Sequence, residues 1–184
     1  MNPMKGVSMS GTEAKRLVFA MLDTDGDGIV SKAEYAARAE RVALASGRTL
    51  DDPMVAAARA AGERAWNAMD ANGDGGVTFE ECEAWAGAEA FDTVCEPVLA
   101  GLFDLADGDG DGALTLPEFL MLRTALGNPP RNIAAAFEAL DADGDGRVGR
   151  DDYLASIRAH VAGENSPVGK ALYERGDGVR PEGR

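Results

Sequence analysis

The sequence predicts an all-α fold: four helix–loop–helix units, paired into two lobes of one compact domain. Three observations carry that prediction. Four copies of a short acidic, glycine-bearing segment start at Asp23, Asp70, Asp107 and Asp141, at intervals of 47, 37 and 34 residues. An aromatic stands four positions before each start (Phe19, Trp66, Phe103, Phe137), and Leu22, Met69, Ala106 or Leu140 follows about one turn later, the spacing of an apolar stripe on an entering helix. The eighth position of each segment is apolar: Val30, Val77, Leu114 and Val148. Such residues allow two loops to join through a short antiparallel bridge, first with second and third with fourth. With 184 residues, 45% of them hydrophobic, the chain is long enough to bury a core around these units.

The elements follow in order. The first entering helix ends at Leu22, and after the loop an exiting helix is expected from Tyr35 until Ser46-Gly47 stops it. Asp52 and Pro53 supply an N-cap and a first-turn proline for the second entering helix, which leaves only a short linker. The second exiting helix is expected from Cys82, and the third entering helix from about Pro97, with Glu96 ending a turn. Pro117 stands at the start of the third exiting helix, ahead of Phe119, where its missing N–H is harmless. Gly127 is a C′ residue, and Asn128-Pro129-Pro130 separates the third unit from the fourth, whose exiting helix is expected from Tyr153. The expected divisions are therefore a first pair over residues 12–90, a second over 91–163 and a tail over 164–184, whose end, RGDGVRPEGR, reads as disordered. Cys82 and Cys95 lie in helical segments with no disulfide framework, Cys82 as a small core residue, and His160 reads as solvated.

The chemistry lies in the loops. A twelve-residue loop that offers oxygens at positions 1, 3, 5, 7, 9 and 12, and turns sharply at a glycine in position 6, is the EF-hand calcium site. The first loop offers Asp23, Asp25, Asp27, the Ile29 carbonyl, Ser31 and a bidentate Glu34 around Gly28. In the second, Asp70, Asn72, Asp74, the Gly76 carbonyl, Thr78 and Glu81 surround Gly75, with Asn72 the one neutral substitute for an acid. Placing Glu118 at position 12 sets the third register: Asp107, Asp109, Asp111, the Ala113 carbonyl and Thr115 around Gly112, which leaves Asp104 in the entering helix. The fourth offers Asp141, Asp143, Asp145, the Arg147 carbonyl and Asp152 around Gly146, with Gly149 at position 9. Asp152 is one methylene shorter than glutamate, so this site is expected to be the weakest for Ca²⁺ and the most open to Mg²⁺.

Charge supports the same reading. The formal charge is −14, and 15 of the 32 acids stand at loop ligand positions, leaving 17 acids against 18 bases elsewhere. Carboxylates concentrated at four points repel one another unless a cation intervenes. About four Ca²⁺ are expected, and they would bring the charge to −6. The acidic balance argues against nucleic acid and membrane surfaces, which call for a basic footprint. Neither a bilayer-spanning stretch nor an apolar leader in MNPMKGVSMSGTEAKR is found, so a cytoplasmic address is expected by default, and the chain is expected to be a monomer. No nucleophile stands beside a base, so no enzymatic activity is expected.

From about Glu13 to Tyr173 the arrangement resembles calerythrin and the sarcoplasmic calcium-binding proteins, most clearly through VCEPVLAGLFDLADGDGDGALTLPEF and AAFEALDADGDG. The resemblance implies a compact two-lobed cytoplasmic protein that buffers calcium. It also implies that the tail, where Val168, Leu172 and Tyr173 recur at about one helical turn, folds back on the lobes. Members of that family often have a degraded second site, whereas Asp70, Asn72, Asp74 and Glu81 are intact here. The alternative is a sensor that opens on calcium and grips a target helix. Only Met21, Met54, Met69 and Met121 lie within the units, fewer than an adaptable Met-rich groove favours.

Overall fold

In the computed structural model, which describes residues 11–85, 88–162, 164 and 166–173, helices alternate with short strands that lie inside the loops. The first unit is α1 (Gly11–Leu22), β1 (Ile29–Ser31) and α2 (Lys32–Ala45), and the second is α3 (Pro53–Met69), β2 (Gly76–Thr78) and α4 (Phe79–Trp85). A helical turn, α5 (Ala88–Ala90), and a π-helical turn, Phe91–Cys95, lead into α6 (Glu96–Ala106), β3 (Ala113–Thr115) and α7 (Leu116–Ala125). The fourth unit is α8 (Pro130–Leu140), β4 (Arg147–Gly149) and α9 (Arg150–Val161), followed by α10 (Pro167–Tyr173). Among these residues no helix is long and apolar enough to cross a membrane.

Helix boundaries follow local chemistry. Gly47 at φ +75° and Gly127 at φ +96° take left-handed positions just past α2 and α7 that a side chain would strain. The Asp52 carboxylate accepts from the Met54 N–H at 2.8 Å ahead of Pro53. The exiting helices begin earlier than expected, at Lys32, Phe79, Leu116 and Arg150: three residues ahead of Tyr35, Cys82 and Tyr153, and one ahead of Pro117. In the first and third units the reason is a capping box: Ser31 and Thr115 are N-caps whose partners, Glu34 and Glu118, stand at N3.

The third entering helix also differs from expectation. Pro97 does not open it: α6 begins at Glu96 and continues the π turn, in which the Glu96 N–H donates to the Phe91 carbonyl five residues back. Cys95 and Glu96 are both in the α conformation, so Pro97 lies within a continuous helical run, and the π turn just before it is where the hydrogen-bond ladder shifts.

The strands pair as the sequence predicts, β1 antiparallel to β2 with Val30 opposite Val77, and β3 to β4 with Leu114 opposite Val148. All four are almost fully buried. The two lobes share one apolar core. Helix α3 packs on α6, α2 on α7, and α1 on α9 and α10. Where α3 meets α6, a Cβ on Gly101 would sit 3.5 Å from the Ala58 backbone, in ordinary van der Waals contact. Phe19, Trp66, Phe103 and Phe137 are all buried. Trp66 donates its indole N–H to the Val30 carbonyl at 3.1 Å, and Phe119 stacks edge-on against Phe137 and Tyr153.

His160 is a correction. It is buried, not solvated, and α10 packs so closely on it that a Cβ on Gly169 would meet the imidazole ring. Val168 and Leu172 of α10 are buried too, and the Leu172 carbonyl accepts from the side-chain amides of Asn128 and Asn132 at 3.3 and 3.4 Å. The expected disordered segment, residues 175–184, and the Tyr173 side chain lie outside the described residues.

Candidate metal centres

Each loop is wound around its first aspartate. Asp23 Oδ1 accepts from the Gly26 N–H at 2.8 Å and Oδ2 from Gly28 at 3.0 Å. Asp70 does the same with Gly73 and Gly75, and Asp107 with Gly110 and Gly112. Asp141 Oδ2 accepts from Gly146 at 3.0 Å. Position 5 closes the turn, since Asp27, Asp74, Asp111 and Asp145 accept from the N–H of position 7 at 2.8 to 3.0 Å. The position-6 glycines have φ between +82° and +91°, as the sequence requires. Position 4 needs a glycine as well: Gly26, Gly73, Gly110 and Gly144 lie at φ +70° to +75°. Sequence reasoning passed over that second glycine, although it recurs in all four copies.

These windings turn the remaining carboxylate oxygens inward. Ligand-type oxygens of Asp23, Asp25 and Asp27 lie within 4.8 Å of one another, as do those of Asp107, Asp109 and Glu118, and those of Asp141, Asp143 and Asp145. In the second loop Asn72 replaces one acid. Its Oδ1 accepts from the Asp74 N–H at 2.8 Å while its amide donates to Asp74 Oδ2 at 2.9 Å.

Position 12 is held in place from position 9. Glu34, Glu81 and Glu118 each accept through Oε2 from the N–H and hydroxyl of Ser31, Thr78 and Thr115, at 2.7 to 3.0 Å. Glu34 Oε1 also reaches Thr24, and Glu118 Oε1 reaches Gly108. The bonds from Ser31, backbone first, and then from Thr24 hold the Glu34 carboxyl down to about 2, so it is ionised and ready for a cation. Glu81 is lowered by the bonds from Thr78. Burial pushes Glu118 up, but the bonds from Thr115 and Gly108 outweigh it and leave the group below its ordinary value. In the fourth loop Gly149 has no hydroxyl to offer Asp152, and a Cβ there would sit 3.4 Å from Asp152 Oδ2.

Two atoms test whether the loops fit a cation. Among the described residues, Glu81 Oε1 and Asp141 Oδ1 are shielded from water and have no partner in full hydrogen-bond geometry. A shielded carboxylate oxygen without a donor is costly, and a metal ion inside the loop removes that cost. Hard oxygen donors from carboxylates, hydroxyls and carbonyls suit Ca²⁺ or Mg²⁺, and the flexible six-to-eight-fold shell such loops build suits Ca²⁺.

The second lobe carries cross-loop contacts that the sequence did not announce. The Arg147 side chain, on the residue expected to lend its carbonyl to the fourth loop, forms an ion pair with Asp111 of the third. Arg150 holds Asp104 through two nitrogens at 2.9 and 3.3 Å, and its N–H donates to the Gly112 carbonyl at 3.2 Å. Asp104 thus sits in α6, where the register placed it.

Comparisons with known proteins agree with this geometry. The family described as an EF-hand domain pair matches residues 96–158, and the one described as EF hand matches residues 15–37 and 67–82. The chain is 32% identical over 138 residues to the probable calcium-binding protein CML16 of Oryza sativa subsp. japonica, covering 74% of this chain and 72% of that one. Calerythrin of Saccharopolyspora erythraea is 29% identical over 156 residues, covering 76% and 85%. A solved Streptomyces coelicolor calcium-binding protein superposes with a TM-score of 0.69 at 26% identity, over 81% of this chain and 98% of that one.

Proposed function

This chain belongs to the EF-hand family of calcium-binding proteins, and we propose that it serves as a monomeric cytoplasmic calcium buffer, without enzymatic activity. It binds Ca²⁺. The ligand assignments proposed are those of the four loops, with Glu34, Glu81 and Glu118 bidentate and the Asp152 loop weakest and most open to Mg²⁺. The coupled binding units are the two loop pairs, over residues 12–90 and 91–163.

The observation that carries the buffer reading is α10. A sensor exposes an apolar groove when calcium opens its helices, whereas α10 lies along α8 and buries Val168 and Leu172 in the common core. With α1 also packed on α9, opening one lobe would tear surface from the other.

The test is a calcium titration at millimolar Mg²⁺ with an apolar-surface dye present. Binding of three or four Ca²⁺ with little gain in dye fluorescence is the expected result. Strong calcium-induced dye binding would replace the buffer with a sensor. One likeness favours that second reading: the Streptomyces coelicolor protein is described as acting in prokaryotic calcium-mediated regulation.

A further inference from the structure

Where the lobes meet, a cavity of about 110 Å³ lies between α1, α2, α3, α4, the π turn, α6, α7 and α9. Its wall is chiefly apolar, with Met21, Trp85, Phe91 and Leu99 among the larger contributors. An apolar cavity of about 150 Å³ stays dry and takes up a benzene ring, so this space is of the order of a single ring or a short alkyl chain.

The charged groups on the wall are all of one kind. Lys15, Arg38 and Arg123 line the cavity beside His160, whose imidazole is held below its ordinary value by burial and by the Arg123 charge and so stays neutral, and among the described residues no carboxylate does. That bias runs against the chain's formal charge of −14. Arg123 is only 2% exposed and donates to the Tyr153 hydroxyl at 3.0 Å, so its guanidinium is fixed in place. Arg38 lies half-buried over the Tyr35 ring, and Lys15 donates to the Glu83 carbonyl, which holds both cations at the rim. A fixed guanidinium beside an apolar wall favours a ligand that combines an apolar body with one anionic oxygen pair, because the charge-assisted bond is strong where water is excluded.

We propose that this inter-lobe cavity binds a small amphipathic monocarboxylate, of the benzoate or short-chain fatty-acid class, with the carboxylate toward Arg123 and Arg38 and the apolar body against Trp85 and Phe91. Neither the calcium loops nor the buffer reading requires this site. Because both lobes supply its walls, calcium and carboxylate are coupled, and each raises the affinity of the other by the same factor.

Calorimetric titration of the full chain with benzoate, and with benzyl alcohol as a neutral match of similar shape, tests the proposal in calcium and in chelator. One benzoate per chain is expected, at least about tenfold tighter than the alcohol, as a charge-assisted bond supplies, and tighter in calcium. Arg123→Met or the half-buried Arg38→Met should reduce the preference toward unity while the alcohol still binds. Leu99→Phe, which fills the space, should weaken both ligands with calcium stoichiometry unchanged. Equal affinity for benzoate and benzyl alcohol, absence of binding at millimolar benzoate, or benzoate binding that survives Leu99→Phe would each overturn the proposal. Should Arg123→Met fail to fold, Arg38→Met and Leu99→Phe decide the matter alone.

Discussion

Replacing Leu172 by Ala asks how firmly α10 is held. Leu172 is 2% exposed in the common core, so the substitution removes buried apolar atoms and leaves a cavity under a helix of seven residues. Such changes cost 2 to 5 kcal/mol, here about 3 kcal/mol if the site cannot collapse. For a chain of this size each kcal/mol moves the midpoint by about 2 to 4 °C, so a fall of roughly 6 to 12 °C is expected. A short terminal helix has a second route, since it can detach and limit the loss to the free energy that holds it down. Thermal unfolding in saturating calcium, followed by circular dichroism with dye fluorescence read in parallel, separates the two. A lower midpoint without dye binding signals a cavity, and dye binding below the transition signals detachment. Leu44→Ala is the control: the same chemical change at 61% exposure should shift the midpoint by no more than about 2 °C, in keeping with surface substitutions near 0.5 kcal/mol. If Leu172→Ala melts with the parent and binds no more dye, α10 is not part of the core and the buffer reading loses its support.

Glu34→Gln, Glu81→Gln and Glu118→Gln should each remove about one high-affinity calcium per chain in calorimetry, most clearly Glu81→Gln, whose shielded Oε1 has no partner in full hydrogen-bond geometry among the described residues; unchanged stoichiometry would show the loop register to be wrong. Asp152→Glu, with Gly149→Thr added to supply the hydroxyl that the other loops use, should raise calcium affinity at the fourth loop and lower its magnesium occupancy. An unaltered Ca²⁺/Mg²⁺ preference there contradicts the chain-length argument. The thiols should be inert: burial pushes Cys82 up to about 11 and Cys95 up to about 12. Both pKa values are raised, so thiolate is scarce at pH 8, roughly a thousandth of Cys82, and labelling by a disulfide reagent should accelerate only as pH climbs toward those values. Labelling at pH 8 as fast as a free thiol would contradict the burial.

The calcium loops and their pairing were legible because they depend on local chemistry: a glycine that must turn, an acid that must face inward, an apolar eighth residue that must find its opposite. The caps at Asp52 and Gly127 were legible for the same reason. His160 was misread although it stands three residues after Ile157 and seven after Tyr153, on the buried face of α9, where α10 then closes over it at Gly169. The ion pairs of Arg147 with Asp111 and Arg150 with Asp104 escaped notice because their partners lie 36 and 46 positions away and meet only after β3 and β4 have paired. The start of the exiting helices was misplaced because Glu34 and Glu118 serve two purposes, closing the metal loop and capping the helix, and the first purpose hid the second.

The π turn at Phe91–Cys95 contains one residue more than an α turn would, and it stands between the last helix of the first lobe and the first of the second. Each residue advances an α-helix by about 100°, so that extra residue acts as a phase shifter between the lobes. Phe91, 1% exposed, faces the shared core in the present phase. Deleting Thr93, an exposed residue in the middle of the turn, would restore an α register and swing everything upstream by about a quarter turn, without touching a single calcium ligand. The relative bearing of the lobes, and with it the width of the space between them, is therefore written as a residue count rather than as a contact. A lineage could retune that bearing by one insertion or deletion while both ion-binding pairs stay as they are.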